Sequence, residues 1–152
     1  MAARFEPADA AFEERVRASF ARQRFMTTIG ARLVDVAPGA VDIELALGEG
    51  LTQQHGFLHA GVIAGAIDSA CGYAALTLMD EGAAVLTVDF VINLLEPAAG
   101  ERLLARGRVL RAGRTLTVCR GDAVAVASDV ERHVATMTAT MMAVRGRDGM
   151  SG

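Results

Sequence analysis

The sequence predicts an α+β fold in which an antiparallel sheet wraps around one long buried helix, with a shorter helix ahead of it. Three observations carry this. Residues 60–79, AGVIAGAIDSACGYAALTLM, are apolar or small except for Asp68, Ser69, Tyr73 and Thr77, and contain no Pro. Such a run reads as a helix buried nearly all round. Downstream, residues 86–94, 102–111, 115–126 and 134–144 carry the two-residue alternation of strands. Upstream, Phe12, Val16 and Phe20 recur every four residues between Glu13, Glu14, Arg15 and Arg17, which predicts an amphipathic helix over 8–25 with Asp9 placed to cap it. One dominant helix followed by a meander of strands is the pattern of a sheet curled over a helix.

The remaining elements follow in order. Residues 29–36 and 41–47 read as two strands around a Pro38-Gly39 turn, and residues 48–58 as a loop. In 86–94, the residues Leu86, Val88, Phe90, Ile92 and Leu94 fall on one face, with Thr87, Asp89 and Asn93 on the other. Ala112-Gly113 marks a hairpin turn. In 134–144, Ala135, Met137, Ala139 and Met141 alternate with Thr136, Thr138 and Thr140. The tail, RGRDGMSG, reads as unstructured.

Composition narrows the function. A chain of 152 residues is one domain by size, and 52% hydrophobic residues suffice for a core. The net charge is −3 and no Lys/Arg block occurs, which excludes nucleic acid as the expected partner. The first residues hold no apolar stretch of signal-peptide length. Residues 60–79 could span a bilayer by length, but Asp at mid-helix costs roughly 2.5–3.5 kcal/mol on insertion, so no membrane association is expected. Cys71 and Cys119 sit in apolar contexts and read as buried thiols of a reducing compartment, the cytoplasm.

Asp68 is the most informative residue. An ionised carboxylate inside an apolar helix is costly unless paired or used. Its neighbours three and four positions away are Ala64, Gly65, Cys71 and Gly72, all small, so another group can approach closely. A substrate pocket and a hydrogen-bonded structural Asp both fit this pattern. The expected helix start at His59, Ala60 and Gly61 offers outward-pointing N–H groups at the positive end of the helix dipole, which can bind a developing oxyanion, and Gln53 can add a side-chain amide. From the spacing alone, a plain Gly-containing loop is the favoured reading. Other chemistries find no support: there is no G-x-S-x-G around Ser69, no zinc spacing among His55, His59, His133 and the two Cys, and no Gly-rich phosphate loop. Cys71 reads as a core thiol before it reads as a nucleophile. Arg106, Arg108, Arg111 and Arg114 form either a solvated strand face or a basic patch for a phosphorylated ligand.

The stretch 53–75, QxxGxLHAGVxAxxxDxAxGxAA, resembles the central motif of hotdog-fold acyl-CoA thioesterases of the phenylacetate-pathway (PaaI-like) type. That motif runs Asn-x-x-Gly-x-x-His-Gly-Gly with an Asp nine residues after the His, the place that Asp68 holds after His59. Gln53 stands at the motif's Asn and Ala60 at its first Gly. Thr87-Val88-Asp89 resembles the Ser/Thr-x-Asp that opens the next strand, and Leu95-Glu96-Pro97-Ala98 and Gly113-Arg114-Thr115 also fit. The resemblance implies a hotdog domain over 28–144, preceded by an N-terminal helical segment (1–27) and followed by a disordered tail (145–152). It implies hydrolysis of an acyl- or aryl-CoA thioester to free acid and CoA, with no metal and no cofactor. Asp68 would serve as general base or nucleophile, Ala60, Gly61 and Gln53 would polarise the carbonyl, and Thr87 would orient water or substrate. His59, Gly65, Arg111 and Arg114 would contact substrate. A homodimer with shared active sites follows from the resemblance, with a dimer of dimers as the larger assembly. The alternatives are a non-catalytic acyl-CoA-binding module and a hotdog enoyl-CoA hydratase. The hydratases carry a His five residues after the Asp, where this chain has Tyr73.

Overall fold

A computed structural model describes residues 4–152; the first three residues of the N-terminal segment lie outside the described range. The chain runs α1 (Phe12–Arg22), α2 (Arg24–Thr28), β1 (Arg32–Ala37), β2 (Ala40–Ala46), a short 3₁₀ turn (Glu49–Leu51), α3 (Ala60–Leu76), β3 (Ala84–Leu94), β4 (Arg102–Ala112), β5 (Leu116–Ala127) and β6 (Val130–Val144). The six strands form one sheet in the order β1-β2-β4-β5-β6-β3, with every neighbouring pair antiparallel. The sheet packs on α3 with five of its strands, β2 to β6, which is the hotdog arrangement.

α3 is apolar all round, and its Ile67, Ala70, Cys71, Ala74 and Leu76 are fully buried. Its closest approach to the sheet is set by two glycines paired across β4 and β5, Gly107 and Gly121. A Cβ on Gly107 would lie 2.3 Å from the backbone of Ala70, and one on Gly121 would lie 2.1 Å from Ile67 Cγ2. The helix therefore rests on bare backbone. Its far end is held from outside: the Arg15 guanidinium of α1 donates to the carbonyls of Leu76 (3.0 Å), Met79 (2.6 Å) and Asp80, at the helix end and in the turn that follows it. Thr77 Oγ1 accepts from the Gly39 N–H at 2.8 Å, which ties the β1–β2 turn to the same end.

Four boundaries differ from the expectation. The helix expected over 8–25 breaks at Gln23, whose backbone is extended, and restarts as α2. α2 then ends in a Schellman motif with Gly30 at φ +69°: Gly30 N–H donates to Thr27 O and Ala31 N–H to Met26 O. Residues 29–31 are thus a helix end, and β1 begins only at Arg32. β6 begins at Val130 because Ser128 and Asp129, with φ of 48° and 62°, make a tight two-residue turn directly after β5. Finally, β3 carries a bulge at Val88: Thr87 pairs with Met141 and Asp89 with Thr140. The extra residue breaks the expected alternation, so Val85 and Thr87 ahead of it and Ile92 beyond it all turn towards α3.

Residues 145–152 form no helix or strand, and a Cβ on the last of them, Gly152, would lie 2.5 Å from the Ala83 carbonyl oxygen and 2.8 Å from Leu76 Cδ1. α3 has 17 residues, and no helix among the described residues is long and apolar enough to cross a membrane.

Replacing Gly107 by Ala places a methyl group against the Ala70 backbone, which cannot yield as a side-chain end can. Overpacking of this kind costs typically 1–3 kcal/mol, and a chain of this size loses about 2–4 °C in Tm per kcal/mol. The variant is expected at or beyond the upper end of that range in thermal unfolding; an unchanged Tm would mean that the sheet moves away from α3 without penalty.

Candidate active site

Asp68 projects from the middle of α3 towards the start of β3, and Thr87 Oγ1 donates to its Oδ1 at 2.7 Å. The bulge at Val88 makes this contact, since it aims Thr87 inward. Asp68 is half-buried. Burial raises its pKa above the ordinary carboxylate value, and the Thr87 hydrogen bond opposes part of that rise. The carboxyl opens into a cavity of about 290 Å³ between α3, the start of β3 and the end of α1. Gln23, Ser69 and Tyr73 line it with Asp68. The Gln23 amide donates to Ser69 Oγ at 3.3 Å and accepts from Tyr73 Oη at 3.3 Å. Burial pushes the Tyr73 phenol up. Phe20 packs on the Tyr73 ring, centroids 5.7 Å apart.

The second group of candidates forms at the other end of the same helix. The loop 53–58 folds back on itself: Gln53 N–H donates to Phe57 O and Gly56 N–H to Gln53 O, with Gly56 at φ +85°. Gln53 Oε1 accepts from the His55 N–H, which directs the oxygen into the loop. His59 is the N-cap of α3, and its Nδ1 accepts from Gly61 N–H at 2.8 Å. The His59 carbonyl takes the N–H groups of Val62 and Ile63. Gly61, expected as a helper donor, is therefore engaged by the cap. Of the first-turn amides, Ala60 alone has no acceptor among the described residues. Ala60 has helical φ, so Ala in place of Gly carries no strain there. A second cavity of about 420 Å³ lies against this turn, walled by Phe57, Ile63, Leu94 and Leu95.

Within one chain these two groups do not meet. Asp68 and Thr87 line the first cavity, and Gln53, His59 and Ala60 the second. Eight helical residues separate Ala60 from Asp68, about 12 Å along the axis. The small patch at Gly65 is covered by the chain itself, since a Cβ there would lie 2.6 Å from the Phe25 ring. Arg106 pairs with Glu131 and Arg108 with Asp42, so the basic patch reduces to Arg111 and Arg114. Both are exposed and line neither cavity. Arg111 shares its row of the sheet with Val118, Thr140 and Asp89, next to the β3 bulge. Cys71 and Cys119 are free, fully buried thiols, and the Cys71 thiol is pushed far up by Cys119 and by burial, the opposite of an activated nucleophile. Sequence reasoning missed Gln23, Ser69 and Tyr73 as cavity walls; the one available signal was the spacing of Ser69 and Tyr73, one turn apart beside Asp68.

Known proteins resemble this chain in sequence and in fold. A solved thioesterase family protein from Silicibacter pomeroyi superposes with a TM-score of 0.88 at 53% sequence identity, covering 89% of this chain and 99% of that one. Human acyl-coenzyme A thioesterase 13 is 32% identical over 111 residues, 72% of this chain and 79% of its own. A putative esterase of Saccharolobus solfataricus is 36% identical over 90 residues, 59% of this chain; the match spans 64% of that relative's length. The family model described as the thioesterase superfamily matches residues 55–131, from the loop before α3 to the start of β6 and through Asp68 and Thr87. The helix that bears a half-buried Asp, the cap before it and the strand that steadies it thus belong to one inherited unit, and the chain is a member of the thioesterase superfamily.

Proposed function

We propose that this protein hydrolyses the thioester of an acyl- or aryl-CoA to the free acid and CoA, at a site completed by a second copy of the chain. The observation that carries the reading is Asp68: a carboxylate kept half-buried beside a cavity, with one oxygen held by Thr87. Its other oxygen is free to take a proton from water or to attack the carbonyl itself. The Ala60 N–H at the start of α3 and the Gln53 amide polarise the thioester oxygen. His59 holds the turn through its cap bond. Arg111 and Arg114, at the same end of the sheet as Asp68, hold the CoA phosphates at the rim.

The distance between the two half-sites supports the dimer. Both must lie within roughly 3 Å of the atoms they serve. β3 is an edge strand, and its Val88, Phe90, Val91 and Leu94 are exposed although apolar. An edge of this kind favours pairing with another strand. Antiparallel pairing of two β3 strands about a two-fold axis at Val91 sets the Thr87–Val88 bulge of one copy opposite Leu94 of the other. Since Thr87 bonds Asp68 and Leu94 walls the Ala60 cavity, each Asp68 then meets the partner's Ala60, in two equal sites. The free buried thiols Cys71 and Cys119 support a reducing, cytoplasmic setting.

Asp68→Asn is expected to lose about 10²–10⁴ in rate while folding normally, as removal of a general base does. It is also expected to be more stable than the parent at neutral pH. The folded-state pKa of Asp68 is raised, so its contribution to stability is present at low pH and lost as pH rises through that pKa. Thiol release and thermal unfolding measure the two effects, and a folded Asn variant with near-parental turnover would remove Asp68 from the chemistry.

Thr87→Ala removes the hydrogen bond that holds the Asp68 pKa down. The acid limb of the kcat/KM profile is expected to move to higher pH, with kcat lowered more than KM is raised. An unmoved acid limb would return Thr87 to an ordinary strand role.

A third test refolds Asp68→Asn together with Gln53→Ala, once the Gln53 variant alone is shown to be impaired. Random assortment makes about half the dimers mixed, and each mixed dimer holds one intact site, so about one quarter of all sites recover. No recovery in proven mixed dimers would place both residues in one chain's site.

A further inference from the structure

Residues 146–152 complete the wall of the Asp68 cavity, and they are held differently from the rest of it. The other walls come from α1, α3 and the start of β3. This one is an irregular segment after β6, with Ser151 and Gly152 against the cavity. Its root is fixed: Arg145 donates to Asp80 Oδ1 at 2.6 and 2.9 Å and to the Arg114 carbonyl at 2.9 Å. Beyond the root the chain doubles back. Gly146 and Gly149 have φ of +65° and +77°, and Met150 N–H donates to Arg147 O at 3.2 Å. The far end is seated closely, since a Cβ on Gly152 would touch Ala83 O at 2.5 Å and Leu76 Cδ1 at 2.8 Å. The side-chain bond that holds it there is exposed and long, 3.3 Å from the Arg22 guanidinium at the end of α1 to Gly152 O.

The segment is thus firm at its root and lightly latched at its far end. A long hydrogen bond open to water contributes little to holding a chain in place. Gly146 follows the root directly, and a glycine there can absorb the backbone change of a swing.

What the segment covers decides what a swing would do. Burial raises the pKa of Asp68, and Thr87 opposes part of that rise. The ionisable side chains around Asp68 are Cys71 and Tyr73 on α3 and Arg22 on α1. The start of β3 and residues 151–152 bring none to the cavity. Cys71 and Tyr73 are both pushed up and stay uncharged at neutral pH. Access of water therefore governs the carboxyl, and the one wall free of helix and strand governs that access.

From this we infer that residues 146–152 are a hinged lid over the Asp68 cavity, with Gly146 as the hinge and Arg22 as the latch, closed while Asp68 acts and opened for exchange of substrate and product. The inference rests on the thioesterase reading above and adds a conformational step to it.

The test has two arms. In a variant lacking residues 146–152, water reaches Asp68 more freely, so its raised pKa falls back towards the ordinary carboxylate value. The acid limb of the kcat/KM profile is expected to move to lower pH by about half a unit. A carbon-13 titration of the Asp68 carboxyl is expected to move the same way. Arg22→Ala, which frees only the latch, is expected to move both in that direction by less, and it serves if the shortened chain does not fold. In the second arm, Arg22→Cys and Ser151→Cys are combined and bridged with a bis-methanethiosulfonate reagent. Both positions are exposed, while Cys71 and Cys119 are fully buried and out of its reach. The bridged protein is expected to lose most of its turnover and to regain it in dithiothreitol. Unchanged turnover in the bridged protein, or an Asp68 titration unmoved in the folded variants, overturns the inference. Should the parent protein cleave no thioester, the hydrolytic reading fails by itself, and the titration, which needs no turnover, still decides on the lid.

Discussion

The close contact between α3 and the sheet at Gly107 and Gly121 governs the rest of the molecule. With a side chain at either position the helix would stand off, and the strands could not curl around it. The contact sets the height at which Asp68 leaves the helix relative to β3, and so whether Thr87 can reach it. It also explains why the helix is so rich in Ala: Ala66, Ala70, Ala74 and Ala75 are fully buried, and larger residues would not fit beneath the strands. The two ends of the helix are held by different means, His59 at the start and Arg15 at the finish. Both anchors keep it from sliding along the glycine track.

Around this frame the site works against stability. Burial of Asp68 raises the free energy of its ionised form, and Thr87 offsets only part of that rise. The molecule tolerates the cost because the carboxyl borders a cavity, where water still reaches it. By contrast, most charged side chains of the sheet are paired at the surface. Glu44 lies between Arg32 and Arg102, which hold its carboxyl below its ordinary pKa, and Asp122 lies between Arg120 and His133. Asp68 is thus left half-buried beside a cavity while these two carboxylates are paired outside, which separates the candidate site from the scaffold.

Much of this was legible from residue patterns. The buried helix, the strand meander and the isolation of Asp68 follow from which residues repeat and at what spacing. What escaped was set by long-range contact or by unusual turn chemistry. Gln23 breaks α1 inside a regular apolar repeat, and nothing local announces it. Ser128-Asp129 makes a tight turn without the Asn-Gly signal, so the alternation alone starts β6 too late. Thr-Thr-Ile-Gly carries the signal of the Schellman end at Gly30, but the apolar residues around it read as a strand. The close approach at Gly107 and Gly121 involves residues 14 apart, and only the register of β4 on β5 brings them face to face. At the site, the motif indicated Asp68, Ala60 and Thr87. The engagement of Gly61 by His59, and of the Gly65 patch by Phe25, needed three dimensions.

The bulge at Val88 has a consequence for how this segment can vary. Because it is a single inserted residue, the two halves of β3 are out of phase, with Thr87 ahead of it and Ile92 beyond it both directed inward. Straightening the bulge with the count unchanged would rotate one half of the strand by a full face, and either Ile92 would leave the core or Thr87 would leave Asp68. Loss of one residue between them would make their separation even, and an unbroken strand would then hold both inward with no bulge at all. Length and bulge are therefore coupled in β3: an odd spacing between the two inward residues needs the bulge, and an even spacing removes it.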